Sequence, residues 1–255
     1  MRNVLIICQK ELRSYFASPV AYVLLSFWAL IFGYFFWSEL GMFVKYSMEV
    51  QMSGQSYPLN INEQVIRGLL QNMAVIGLFF LPMITMRLFA EETRSGTIEL
   101  LATSPIRDWE IIIGKWMAAV ALYICMLLIT VVHLLFVFKY GNPDWKPVVI
   151  AYLGLLLEAS AMLAIGTFIS SLTKNQIIAG AVTFAVLILL WVFAWVSSYD
   201  NSTWARVLSY MSLTTHSESF MRGVVDSKDG IYYATLIFLG LFFTARSMES
   251  LRWRS

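Results

Sequence analysis

Two sets of residues in this chain could do chemistry. The first is the run Glu91-Glu92-Thr93-Arg94-Ser95-Gly96-Thr97-Ile98-Glu99-Leu100-Leu101-Ala102-Thr103-Ser104-Pro105, where carboxylates, a Gly break and a Pro stop crowd between two membrane-length apolar segments. Arg87 and Glu91 stand four apart and Glu91 and Arg94 three apart, spacings that place charges on one exposed helix face. Gly96 accepts the left-handed conformation that closes a helix. Thr97 then caps a short helix with Glu99 near its positive end and Ile98, Leu101 and Ala102 on one apolar face, ended by Pro105. Such a helix suits a groove in a soluble partner; the residues fit an ordinary solvated loop with helix caps equally well. The second set is Glu158 and His133, ionisable side chains inside apolar runs. Groups at that depth are costly and face a bundle interior or a watery path. Glu158 lines a substrate route, bonds a neighbouring helix, or sits as a neutral carboxyl in helix packing.

Enzymatic constellations are missing. The chain has two histidines, His133 and His216, and no His-Glu-x-x-His or Gly-x-Ser-x-Gly pattern. Around Gly114-Lys115, Trp109 and Trp116 occupy the places where a phosphate-binding loop needs Gly and Ser or Thr. The chain is therefore expected to catalyse nothing and to bind no cofactor itself. Cys8 and Cys125 form neither a disulfide framework nor a metal cluster. A net charge of +2 is too small to argue for nucleic acid.

Helices in lipid must position these residues. The sequence is 59% hydrophobic and 13% charged, against about 25% charged in soluble domains. One all-α integral membrane domain over 1–255 follows, with six spans near 20–40, 70–88, 111–138, 148–172, 177–197 and 231–245. Pro82 predicts a kink in the second span. Trp28, Trp37, Trp109, Trp116 and Trp195 include candidates for interfacial anchors. With the N-terminus inside, eleven of the 18 lysines and arginines fall on the inner side, among them Lys10, Arg13, Arg94, Arg107 and Lys174. The positive-inside rule thus puts both termini in the cytoplasm.

Outside the hydrocarbon, residues 1–18 read as an amphipathic interfacial helix with Val4, Leu5, Cys8, Leu12, Tyr15 and Phe16 at helical spacing. They lack the continuous apolar core of a cleavable signal. Ser18-Pro19 redirects the chain into the first span. Residues 41–68 read as an exposed connection, and Asp108 as the cap of the third span. Residues 199–230 are too long for a hairpin and too polar for a span. They fit two short helices dipping into the outer leaflet, or an interfacial loop.

The sequence resembles the ABC-2 type permeases, membrane subunits of ATP-binding-cassette exporters, and more narrowly the gliding-motility-associated group. The resemblance rests on the six spans, the N-terminal amphipathic helix and the run from Leu88 to Pro105. It continues through Arg107 to Lys115 opening the third span, Ser170 to Gln176 between spans four and five, and Met221 to Asp226 before span six. It implies that 87–110 is a cytoplasmic coupling segment docking on an ATPase, with Glu91, Glu92, Gly96, Thr97, Ile98, Glu99, Leu100, Leu101 and Pro105 as contact or positioning residues. It further implies that 1–18 is a connecting helix and that 199–230 is an outer re-entrant pair. The implied partners are ABC ATPase subunits carrying ATP and Mg, a second identical or related permease, the lipid bilayer of a bacterial inner membrane, and an accessory protein. A scaffold or mechanically coupled complex without export, and an ion-coupled secondary transporter, are the alternative readings. Glu158 has no counterpart in the family motif.

Overall fold

The computed structural model describes residues 2–53, 59–97, 106–199 and 202–252. Within them the chain forms α1 (Arg2–Ala17), α2 (Pro19–Ser53), a π-type turn at Asn62–Ile66 running into α3 (Arg67–Thr85), and α4 (Ala90–Ser95). There follow α5 (Asp108–Gly141), α6 (Trp145–Ser171), α7 (Gln176–Tyr199), α8 (Thr203–Tyr210), α9 (Leu213–Met221) and α10 (Ser227–Arg252). Six helical stretches are long and apolar enough to cross a bilayer, corresponding to the six spans read from the sequence.

The centre of the bundle is α6, which packs against α3, α5, α7, α9 and α10. Its buried residues include many small ones, among them Gly154, Ala159, Ser160, Ala161 and Ala164, so neighbouring backbones approach closely, the usual means of helix association in lipid. Phe220 of α9 fills the space left by the missing side chain at Gly154. The short helices α8 and α9 thus lie at the end of the bundle opposite α1, with α9 reaching well down α6.

Several boundaries depart from the sequence reading. The connection expected at 41–68 is mostly helical: α2 continues to Ser53 and helix resumes at Asn62. Residues 42–53 contain neither Gly nor Pro, and six of the twelve are Met, Lys, Glu or Gln, so nothing stops the helix. At 35 residues α2 is about 52 Å long. Pro82 lies inside the last turn of α3, which closes at Thr85 before a turn over 86–89. Asp108 is the first helical residue of α5 rather than its cap. The cap is Arg107, whose amide donates to Glu110 Oε2 at 3.2 Å. Trp28 is no interfacial anchor: it is buried and meets Phe80 and Tyr123 edge-on, with ring centres 5.4 and 6.1 Å apart.

The amphipathic α1 packs across the start of α5 rather than lying free on a surface. Tyr15 is buried and donates to the Ile84 carbonyl at 3.3 Å, joining α1 to the end of α3. Burial and the neighbouring Glu11 push its phenol well above the usual range, so it stays a neutral donor. Leu5 and Ile6 remain exposed.

Candidate coupling site and midspan carboxyl

The charged run begins at α4, whose backbone is fixed by a single hydroxyl. Ser170, near the end of α6, accepts from the amides of Phe89 and Ala90 at 3.1 and 3.2 Å and donates to the Met86 carbonyl at 3.2 Å. These are backbone groups that the turn over 86–89 would otherwise leave unsatisfied inside the protein. At the other end of α4, Gly96 takes the left-handed conformation at φ 74°, the helix stop read from the sequence. Ser95 and Thr97 hydroxyls meet at 2.9 Å across that stop. Ile98, Glu99, Leu100, Leu101 and Pro105 lie outside the described residues.

The two adjacent carboxylates of α4 have opposite surroundings. Glu91 is 52% exposed and pairs with Arg87 at 3.3 Å. The Glu92 side chain is 15% exposed and turns inward onto Lys115 Nζ at 2.8 Å. Lys115 is the hub. Only 2% exposed, it also donates to Glu11 Oε1 of α1 at 3.1 Å and to the Leu88 carbonyl at 2.8 Å. Its ammonium lies 5.3 Å from the centre of the Phe89 ring. Three acceptors match the three N–H bonds of an ammonium, so α1, α4 and α5 are clamped at one point. A second contact secures α1: Asn3 Nδ2 donates to the Glu110 carboxylate at 3.1 Å. The close crossing also depends on Gly114, where a Cβ would come within 2.8 Å of Ile7 Cβ and 3.0 Å of the Val4 carbonyl. A cleft of about 260 Å³ opens beside the clamp, lined by Lys10, Ser14, Arg87, Glu91 and Thr97 among others.

Glu158 and His133 do not form one site. His133 stands on α5 against Phe32 and Phe36 of α2, with ring centres 5.0 and 5.4 Å apart. Glu158 is 2% exposed on α6, and neither carboxyl oxygen has a hydrogen-bond partner. It borders a small cavity with Ala74, Gly77 and Tyr123.

Sequence reasoning missed Lys115 and Ser170 as structural centres, and also a buried pair at the far end. His216 Nδ1 and Asp229 Oδ1 are 2.7 Å apart, and His216 Nε2 is 2.8 Å from the Tyr210 carbonyl. A carbonyl only accepts, so Nε2 must carry a proton. A second proton then lies between Nδ1 and Asp229, whichever atom owns it. The imidazole also stacks on Tyr232 at 3.8 Å. This set ties α8, α9 and α10 together. Its only signal in the sequence was a histidine and an aspartate in a segment otherwise read for its helices.

A bundle of six membrane-length helices, with a charged break after the second, defines a multi-pass membrane protein. Residues 44–245 match the family described as ABC-2 family transporter protein, and the chain belongs to that family, the membrane subunits rather than the ATPases of ATP-binding-cassette transporters. Over 155 residues, 60% of this chain, it is 26% identical to the probable multidrug ABC transporter permease YbhR of Escherichia coli strain K12, and equally to that of Escherichia coli O157:H7. The aligned part spans 40% of the length of those relatives.

Proposed function

We propose that the chain is a permease subunit that pairs with a second permease, identical or related, and moves an amphiphilic substrate outward. Two separate ATPase subunits, holding ATP and Mg, dock at the α1 and α4 end. That end is cytoplasmic in this reading, with both termini on the cytoplasmic side of a bacterial inner membrane and α8 and α9 forming the outer re-entrant pair. The chain itself binds no cofactor. The multidrug label of the Escherichia coli relatives supports the amphiphile.

The observation that carries the proposal is the Lys115 clamp. A push on residues 91–97 cannot be absorbed by a loose loop, because α4 is held through Glu92 to α5 and α1, and through its backbone amides to Ser170 on α6. Closure of the ATPases would then move spans three and four together, a rigid-body shift between two access states. Glu91 and residues 97–105 provide the contact in this reading, while Glu92 and Gly96 position it.

Glu91→Lys tests docking without touching the clamp. Loss of co-purifying ATPase from a permease that still folds supports the reading. Full ATPase binding and stimulated ATP hydrolysis with Glu91→Lys combined with truncation of Ile98 and Leu101 to Ala would overturn it.

A further inference from the structure

Glu158 lies near the middle of the 27-residue α6, and its surroundings give it no partner. Two nearby tyrosines bond elsewhere, Tyr233 to the Leu213 carbonyl at 2.8 Å and Tyr232 to the Met211 carbonyl at 2.6 Å, while Tyr123 lines the same small cavity as Glu158. Burying a carboxyl with both oxygens unsatisfied is costly. The cavity it faces holds about 10 Å³, the space of one water-sized group.

That cavity shares one wall residue with a larger space. Between α3, α7, α8 and α9 at the far end lies a cleft of about 440 Å³, bordered by Gln71, Ala74, Ser209, Thr214, Glu218 and Met221 among others. Ala74 borders both spaces. Gln71, Ala74 and Gly77 follow at intervals of three along α3, each neighbouring pair on one face and each step descending about 4.5 Å. The second step leads from Ala74, on the wall of the cleft, to Gly77, on the wall of the cavity that Glu158 borders. No lysine or arginine lines either space among the described residues. Arg67 and Arg222 both engage Glu218, which borders the cleft.

We infer that the far-end cleft and Glu158 form one binding site for an amphiphile with a primary ammonium head. The apolar body occupies the cleft, and the ammonium descends past Ala74 to the carboxylate. Two free oxygens offer acceptors to an N–H₃ group, which is close to water in size; a trimethylated head is too large for that space. This deepens the permease reading and rests on it for the site's role as a transport site, but the binding itself requires no ATPase.

The test uses the full chain in lipid nanodiscs and the fluorescent amine dansylcadaverine, with empty discs subtracted. Saturable binding is expected, weakened at least about tenfold by Glu158→Gln, the lower end for loss of a charge-assisted hydrogen bond. The N,N,N-trimethyl analogue should bind the wild type as weakly as the amine binds the variant. An unchanged thermal unfolding midpoint shows that Glu158→Gln folds. Equal affinity of wild type and Glu158→Gln, equal affinity for the two amines, or no saturable binding would overturn the site and leave water as the cavity's occupant. Those results would leave ATPase docking intact, and a failure of docking would leave these affinities unchanged.

Discussion

Replacing Lys115 by Met should release α1 from the bundle. Met keeps most of the side-chain volume but removes the charge and three donors. Glu11 and Glu92 are then left facing each other, 14% and 15% exposed, with no cation between them. Removing one partner of a fully buried ion pair costs about 3–5 kcal/mol, and partial water access to the two carboxylates lowers this to about 2–3 kcal/mol. At 1.4 kcal/mol per tenfold, local opening becomes about 30- to 150-fold more frequent. Hydrogen exchange of the backbone amides in α1 and in 90–97 reads that opening directly, because exchange follows the population of the open form. The Cys8 thiol gives a second readout. Burial holds its pKa above the ordinary value, so undocking should lower it and speed maleimide labelling at neutral pH. The triple variant Lys115→Met, Glu11→Gln, Glu92→Gln removes the stranded charges as well, and should recover most of the protection. Exchange in Lys115→Met within twofold of wild type would refute the clamp, as would a triple variant no better than the single one.

Three further outcomes follow from the geometry. Gly114→Leu should displace α1 and lower stability by about 1–3 kcal/mol through overpacking against Ile7; raised exchange confined to α1 checks this. Gly96→Val should cost about 1–2 kcal/mol at its left-handed φ while Gly96→Asn costs less, and exchange of 90–97 separates the two. Asp229→Leu leaves His216 Nδ1 buried without a partner, a loss of about 1–3 kcal/mol in thermal unfolding. Asp229→Asn should be much milder, since its amide can donate to Nδ1.

The spans were legible because apolar length is a local property, and the Gly96 stop because only one residue type takes that φ without strain. What escaped the sequence depends on contacts between distant residues. Lys115 reads as an inner-side topology charge, yet its carboxylate partners are 104 and 23 residues away. Glu91 and Glu92 look alike in sequence, but successive helical residues point about 100° apart, and only the position of α5 decides which faces inward. Residues 41–68 suggested an exposed connection, although residues 42–53 contain no helix breaker and the helix runs on to Ser53. Trp28 suggested an anchor because composition cannot show that Phe80 and Tyr123 close over it. Residues 44–245 carry the family identity, whereas α1, one of the three helices joined by the clamp, lies before that stretch.

The length of α2 has a mechanical consequence. Its foot is the Ser18-Pro19 bend beside the clamped α1, and its uninterrupted course exceeds a hydrocarbon core of about 30 Å by about 20 Å. A rod of that kind gears small rotations into large displacements. A tilt of about 5° at the foot sweeps the tip through about 4–5 Å over its length of about 52 Å. In the permease cycle proposed above, the first span would thus act as a pointer, moving most at the end farthest from α1.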